Sequence, residues 1–457
     1  MMGAPLSRWT MAFFAASLIS LVLAEGLMVL GYGFPVAAMN APETLILVHT
    51  TAVGWLSLLM CGALFQFVPV LVAGPLQRPW LVLPALTCLV TGLTLLLMGF
   101  LQLAGTLESD MPFLAVGGTL LPIGFVLAAW VLGETLWRAR PLPLPARFVA
   151  MGLACLFGVV ALGALFSQWL GGTVAVDALA SHRDQLVPLH AALGIGGWLS
   201  FCAIGVSYRL LPMFMLAPDH ERPTSRWVWR SGAAALLALG AAPIELAATG
   251  SAVLSFGVAA FCALVALSLY GADLVTLFRS RKRRIVELNI AAASGAFLAL
   301  FASVVLSVAL GLGANPGRHA GALVYLVLFG WLTGLGLSQL YKIVPFLTWL
   351  ECYGPVMGRR PTPRVQDLVA ERRDGCWFVL YFGGVFAATA ALLAEEPMLF
   401  RMAAAATLLA TGAIVVELVL ARRLANVPAA SRLPEGTRLP RLFMALPAKG
   451  PTERSHL

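Results

Sequence analysis

Twelve apolar runs follow one another along the chain, near residues 9–33, 44–73, 79–105, 112–137, 145–171, 185–216, 226–248, 251–278, 286–313, 318–350, 373–394 and 398–421. Each is long enough to cross the roughly 30 Å hydrocarbon core of a bilayer, which takes a helix of about 20 residues. Short polar loops separate the runs, and their charges alternate. With the N-terminus inside, the inner loops hold Arg78, Arg138, Arg140, Arg147, Arg222 and Arg226, the basic cluster Arg279 to Arg284, and Arg359, Arg360, Arg364, Arg372 and Arg373. The outer loops hold only Arg183, Arg318 and Arg401. Cytoplasmic loops collect Lys and Arg, so this asymmetry places both termini in the cytoplasm. The pattern predicts an all-α integral membrane protein with a single twelve-helix transmembrane domain over 1–421. It is followed by a basic, Pro-rich tail over 422–457 that reads as mobile and resting on anionic lipid. No small-residue cleavage site follows the first run, which reads as a retained helix rather than a signal peptide.

Composition supports this reading. Hydrophobic residues make up 60% of the 457 positions, charged ones 11%, and the mean hydropathy is +0.89, which excludes an ordinary soluble domain. The net charge of +9 falls in the inner loops, where topology accounts for it, so no nucleic-acid partner is expected. The seven cysteines are scattered without a CxxC and read as buried thiols, neither a disulfide framework nor a zinc site. Preference for arginine over lysine, with abundant alanine, points to a GC-rich bacterium and hence a bacterial inner membrane.

Within the apolar runs lies an internal repeat. Gly54-Trp55-Leu56-Ser57 recurs as Gly197-Trp198-Leu199-Ser200 and as Gly330-Trp331-Leu332-Thr333. Each tryptophan is followed 14 residues later by Pro69, Pro212 or Pro345, seven later by Gly62, Gly205 or Ser338, and eleven later by Gln66, Arg209 or Lys342. The prolines are 143 and 133 residues apart, a period that suits a module of four membrane helices. Three pseudo-threefold modules follow, near 1–140, 141–280 and 281–421, with the repeat on helices 2, 6 and 10. The glycines before the tryptophans are expected to admit a close neighbour, the prolines to end or kink the helix, and Arg209 and Lys342 to snorkel to the inner interface.

Upstream of each tryptophan stands a histidine, His49, His190 or His319, all in the outer halves of their helices. A histidine in hydrocarbon is costly, and a set at one depth calls for a reason. The structural alternative is a hydrogen bond to a neighbouring helix. The functional one is ligation, since neutral imidazole is the usual ligand for heme iron and copper. No second histidine stands at i+3 or i+4 on helix 2 or 6, so ligands to one metal must come from different helices, which suits a flat cofactor between helices. Glu25, Glu245, Asp273 and Glu417 are further ionisable groups within the apolar runs, either orienting a ligand or bonded to a neighbouring helix. Met213 and Met215 read as copper-facing or as gap-filling, and His182, His220 and His456 as solvated.

Twelve helices in three modules, with histidines near the outer ends of helices 2, 6 and 10, resemble the catalytic subunit I of the heme-copper oxidases. The likeness is nearest to the C-type cytochrome c oxidases and the nitric oxide reductases. The stretch from His190 to Pro212 resembles that family's helix 6, His49 to Pro69 has the H-x4-G-W-x13-P spacing of its helix 10, and His319 with Gly330-Trp331 and Pro345 resembles the same helix. The resemblance implies that His49 and His319 ligate a low-spin heme b and that His190 ligates copper. The chain departs from the family in helix 7, which holds no histidine between Trp227 and Gly250, and in helix 10, which holds one where the family has two. The resemblance therefore implies a non-oxidase relative without a complete copper B centre. Such a protein would bind heme b for electron transfer or for a diatomic gas such as NO or O2, with a redox partner subunit or cytochrome. Different classes of function are a membrane transporter for copper or a small solute, suited by the intramembrane acids and repeats, and a structural subunit that binds nothing.

Overall fold

The computed structural model describes residues 8–445 apart from 176, 219, 220, 314–316 and 318. Among the described residues there is no strand, and twelve helices are long and apolar enough to span a membrane. They are α1 (Thr10–Leu30), α2 (Pro42–Leu71), α3 (Pro79–Leu103), α4 (Phe113–Arg138), α5 (Leu144–Leu170), α6 (Arg183–Met215), α7 (Pro223–Thr249), α8 (Val253–Arg279), α9 (Leu288–Leu312), α10 (Ala320–Val356), α11 (Glu371–Leu393) and α12 (Pro397–Arg422). The protein is thus a multi-pass membrane protein whose surround is lipid.

Helices α2, α6 and α10, the longest at 30, 33 and 37 residues, meet one another along the centre. Helix α1 lies along α2, α5 along α6 and α9 along α10, while α3 with α4, α7 with α8 and α11 with α12 form hairpins. Contacts of α4 with α5 and of α1 with α12 join successive groups of four. Glycine permits the inner contacts. A Cβ on Gly54 would stand 2.8 Å from Ser20 Oγ of α1, one on Gly197 2.6 Å from Cys155 Cβ of α5, and one on Gly330 2.7 Å from Ala299 Cβ of α9. The expected packing role of these glycines holds on all three helices.

The stretches around the tryptophans are not ordinary α-helix. Thr50–Ser57, Ala192–Phe201 and Leu326–Thr333 are wound as π-helix, a wider i→i+5 turn that is rare and short elsewhere. Hydroxyls bond within it: Ser57 Oγ donates to the Ala52 carbonyl at 2.8 Å and Thr333 Oγ1 to that of Leu328 at 2.7 Å, each five residues back. The same hydroxyls serve the tryptophans of other helices. Trp55 Nε1 donates to Thr333 Oγ1 (2.8 Å), Trp331 Nε1 to Ser200 Oγ (3.2 Å) and Trp198 Nε1 to Ser57 Oγ (3.1 Å). The three bonds close a cycle in which each of α2, α6 and α10 donates to one of the others and accepts from the second. All three indoles are buried to 2% exposure or less. An indole N–H at such a place needs a partner, and the hydroxyl two residues after the next tryptophan supplies it.

One expectation holds on two helices of three, and another is corrected. The repeat prolines stand within three residues of the ends of α2 and α6, but not of α10. Helix continues past Pro69 to Leu71, past Pro212 to Met215 and past Pro345 to Tyr353. The tail is not free over its described part. Leu424 and Val427 pack with Cys352, Tyr353 and Leu368, and the Arg422 side chain, 3% exposed, pairs with Glu351 at 2.7 Å and donates to the Arg441 carbonyl. Ala445 N donates to the Arg8 carbonyl at 3.1 Å, joining the tail to the segment that precedes α1. A buried guanidinium needs several acceptors, and the returning backbone provides them. Residues 446–457, with His456, and the loop residue His220 lie outside the described residues.

Thr333→Val removes the acceptor of the Trp55 indole and leaves a buried donor unpaired, at a cost of about 1–3 kcal/mol. The unfolding midpoint in detergent is expected to fall accordingly, while Thr87→Val, on an exposed face of α3, stays within about 0.5 kcal/mol of the parent.

Candidate functional site

The three histidines precede the π-helical segments, but at different distances. His49 is the last residue before the segment in α2. Its Nδ1 lies 2.8 Å from the Leu45 carbonyl, and its ring sits 5.2 Å from that of Phe100 on α3. A carbonyl only accepts, so Nδ1 carries the proton and Nε2 keeps the lone pair, the state of a ligating imidazole. His190 stands two residues before the segment in α6, which at 10 residues is longer than the 8 of the others. A wider turn advances less per residue and takes up part of the extra distance to tryptophan.

Gly163 on α5 makes the room for His190: a Cβ there would be 3.2 Å from the imidazole Cε1. Phe166 packs edge-on against the ring at 6.0 Å, and the Val159 carbonyl is within hydrogen-bonding reach. The Nδ1 atom is buried without a partner. His49 and His190 are also close enough to act on each other electrostatically.

His319 departs from the expected common depth. It stands 12 residues before its tryptophan, against six for His49 and eight for His190, and directly precedes α10, where its carbonyl accepts from Ala322 and Leu323. Six extra residues place it about 9 Å farther out than His49 at 1.5 Å per residue. Its Nδ1 is likewise buried and unpartnered. The residue at the register of His49 in α10 is Tyr325. Its ring stacks on Phe329 at 4.9 Å, and its buried hydroxyl has no partner. Counting from the tryptophan instead of to the nearest histidine would have found it.

Of the four intramembrane acids only Glu25 is left short of partners. Its Oε1 accepts from Thr411 of α12 at 2.9 Å, while Oε2, fully buried, accepts from nothing and lies within electrostatic reach of Tyr325 and Tyr381. Glu245 instead accepts from the backbone N–H groups of Leu254 (3.0 Å) and Ser255 (2.7 Å), satisfying donors at the start of α8. Asp273 accepts from Tyr208 and Thr224, and Glu417 from Arg373, the Ala370 N–H and Asn426. These three carboxyls are structural.

Lys342 does not snorkel freely, for its Nζ pairs at 2.7 Å with Glu287, the residue just before α9, which also accepts from Arg283 and from Gln366. Met213 and Met215 lie beyond Pro212, at the opposite end of α6 from His190. The cysteines are free thiols, and among the described residues no three His, Cys, Asp or Glu side chains group as a set for one ion.

Glu287→Ala would strip Lys342 and Arg283 of a buried counter-charge. A loss of about 3–5 kcal/mol is expected, read as a lowered unfolding midpoint. Glu25→Gln, which keeps an acceptor for Thr411, should stay within about 1 kcal/mol of the parent. No protein-family model matches the chain, and no curated protein matches it.

Proposed function

We propose that the protein is a heme-b-binding membrane protein, serving electron transfer or the binding of a diatomic gas. In this reading its twelve helices form three pseudo-threefold modules arranged as in the heme-copper oxidase subunit I, in a bacterial inner membrane with both termini cytoplasmic. The observation that carries the reading is the pair His49 and His190. Both stand just before the π-helical segments, with a helix carbonyl beside each ring and, on His190, a buried nitrogen with no partner. An orphaned imidazole nitrogen in an apolar setting is costly as mere structure and suits a ligand.

What supports the reading is the chemistry of the donor set. The Leu45 carbonyl orients the His49 ring, Phe100 and Phe166 pack against the two imidazoles, and Gly163 admits the close approach of the His190 ring to α5. His319, farther out with its own unpaired nitrogen, is the alternative partner for His49. When bound, heme iron supplies one-electron chemistry and a position for a diatomic ligand. A bound copper ion is not part of the reading, since α7 brings no histidine to His190.

The purified protein is expected to show a b-type band in a reduced-minus-oxidised spectrum that shifts with carbon monoxide or nitric oxide. His49→Ala and His190→Ala should each lower heme content at least about tenfold, the scale on which even a residue behind a ligand matters. His182→Ala should not. A protein expressed with ample heme that shows no such band would remove the reading.

A further inference from the structure

On the side of the tryptophan cycle away from the histidines, a cavity of about 100 Å³ runs along the centre between α2, α6 and α10. Its walls come from equivalent positions of the three repeats. Leu56, Leu199 and Leu332, each one residue after a tryptophan, lie nearest the cycle. Positions five and eight residues after the tryptophans continue the same helix faces, and small side chains there open the space: Ala203, Gly336 and Ala63. The repeat is broken at one point. Where α2 has Ala63 and α6 has Val206, α10 has Gln339, and both its amide atoms are buried with no hydrogen-bond partner.

An unpaired primary amide in an apolar chamber costs several kcal/mol. Water is a poor remedy, because a buried water needs two to four polar partners. The one other polar side chain in the described lining, the hydroxyl of Ser207, is engaged with the Ile204 carbonyl and Tyr270. We infer that this axial cavity is a binding site for a small neutral molecule, mainly apolar, that carries one group able to hydrogen-bond with the Gln339 amide. Apolar cavities of about 150 Å³ hold benzene or xenon, so this one, about two-thirds of that size, takes an occupant of about four heavy atoms. The site is independent of the histidines, from which the tryptophan cycle separates it.

Trp55 provides a reporter, since its ring lies 3.2 Å from where a Cβ on Gly336 would stand. 2-Bromoethanol, a four-heavy-atom quencher with a hydroxyl, and 1-bromopropane, of the same size without one, are titrated against the tryptophan fluorescence of the full-length protein in detergent. Saturable quenching by both is expected, superposed on a linear background. Gln339→Leu should weaken 2-bromoethanol about tenfold, the worth of one hydrogen bond of about 1.4 kcal/mol, and leave 1-bromopropane unchanged. Ala203→Phe, or Ala63→Leu should the first not fold, should fill the space and abolish the saturable part for both. Purely linear quenching of the parent, saturation that survives a folded filling variant, or equal loss of both probes in Gln339→Leu would each overturn the assignment.

Discussion

The cyclic set of indole-to-hydroxyl bonds is the constraint on which the rest of the molecule depends. Three tryptophans in an apolar centre each bring a donor that hydrocarbon cannot satisfy, and each finds its acceptor on a different inner helix. Ser57 and Thr333 work twice, donating to their own widened turn and accepting an indole from a neighbour. The π-helical winding and the cycle therefore support one another, and both need α2, α6 and α10 together. Small residues at the flanking positions let α1, α5 and α9 lie against this centre at backbone distance. The cycle also divides the bundle, with the histidines on one side and the axial cavity on the other.

Polar groups on the two sides are treated differently. Toward the prolines, buried charges are matched: Glu287 with Lys342 and Arg283, Arg422 with Glu351, Asp374 with Tyr341 and Arg373. Such sets hold helix ends and the returning tail in register, because removing one member strands another. Toward the histidines, His190, His319, Tyr325 and Glu25 each keep a buried atom with no partner. Unpartnered buried atoms also occur toward the prolines, on the amides of Gln339 and Asn289, so the contrast between the two sides lies in the charged groups that are paired there.

Several side chains read differently in the fold than along the chain. Lys342 and Glu245 have polar atoms at the ends of apolar runs, and their partners Glu287, Leu254 and Ser255 lie on or just before other helices, so linear spacing cannot distinguish an interface anchor from a buried pair. The tail is basic and Pro-rich, which reads as mobile, yet Leu424 and Val427 supply just enough apolar surface to dock it beside Tyr353. His319 precedes a repeat tryptophan as His49 and His190 do, but helical rise converts its six-residue difference from His49 into depth, and Tyr325 holds the matching place.

Hydrophobic run length alone determined the twelve spans, since a bilayer admits few other backbones, and the Gly-Trp spacing alone determined which helices are equivalent. Whether those helices touch, what the tryptophans bond to, and the widened turns beneath them were decided only by tertiary structure. A donor and acceptor 278 residues apart, as in Trp55 and Thr333, leave no periodic trace in the chain. The axial cavity is likewise a tertiary fact, for Ala63, Ala203 and Gly336 are unremarkable apolar positions until three helices bring their missing volume to one place.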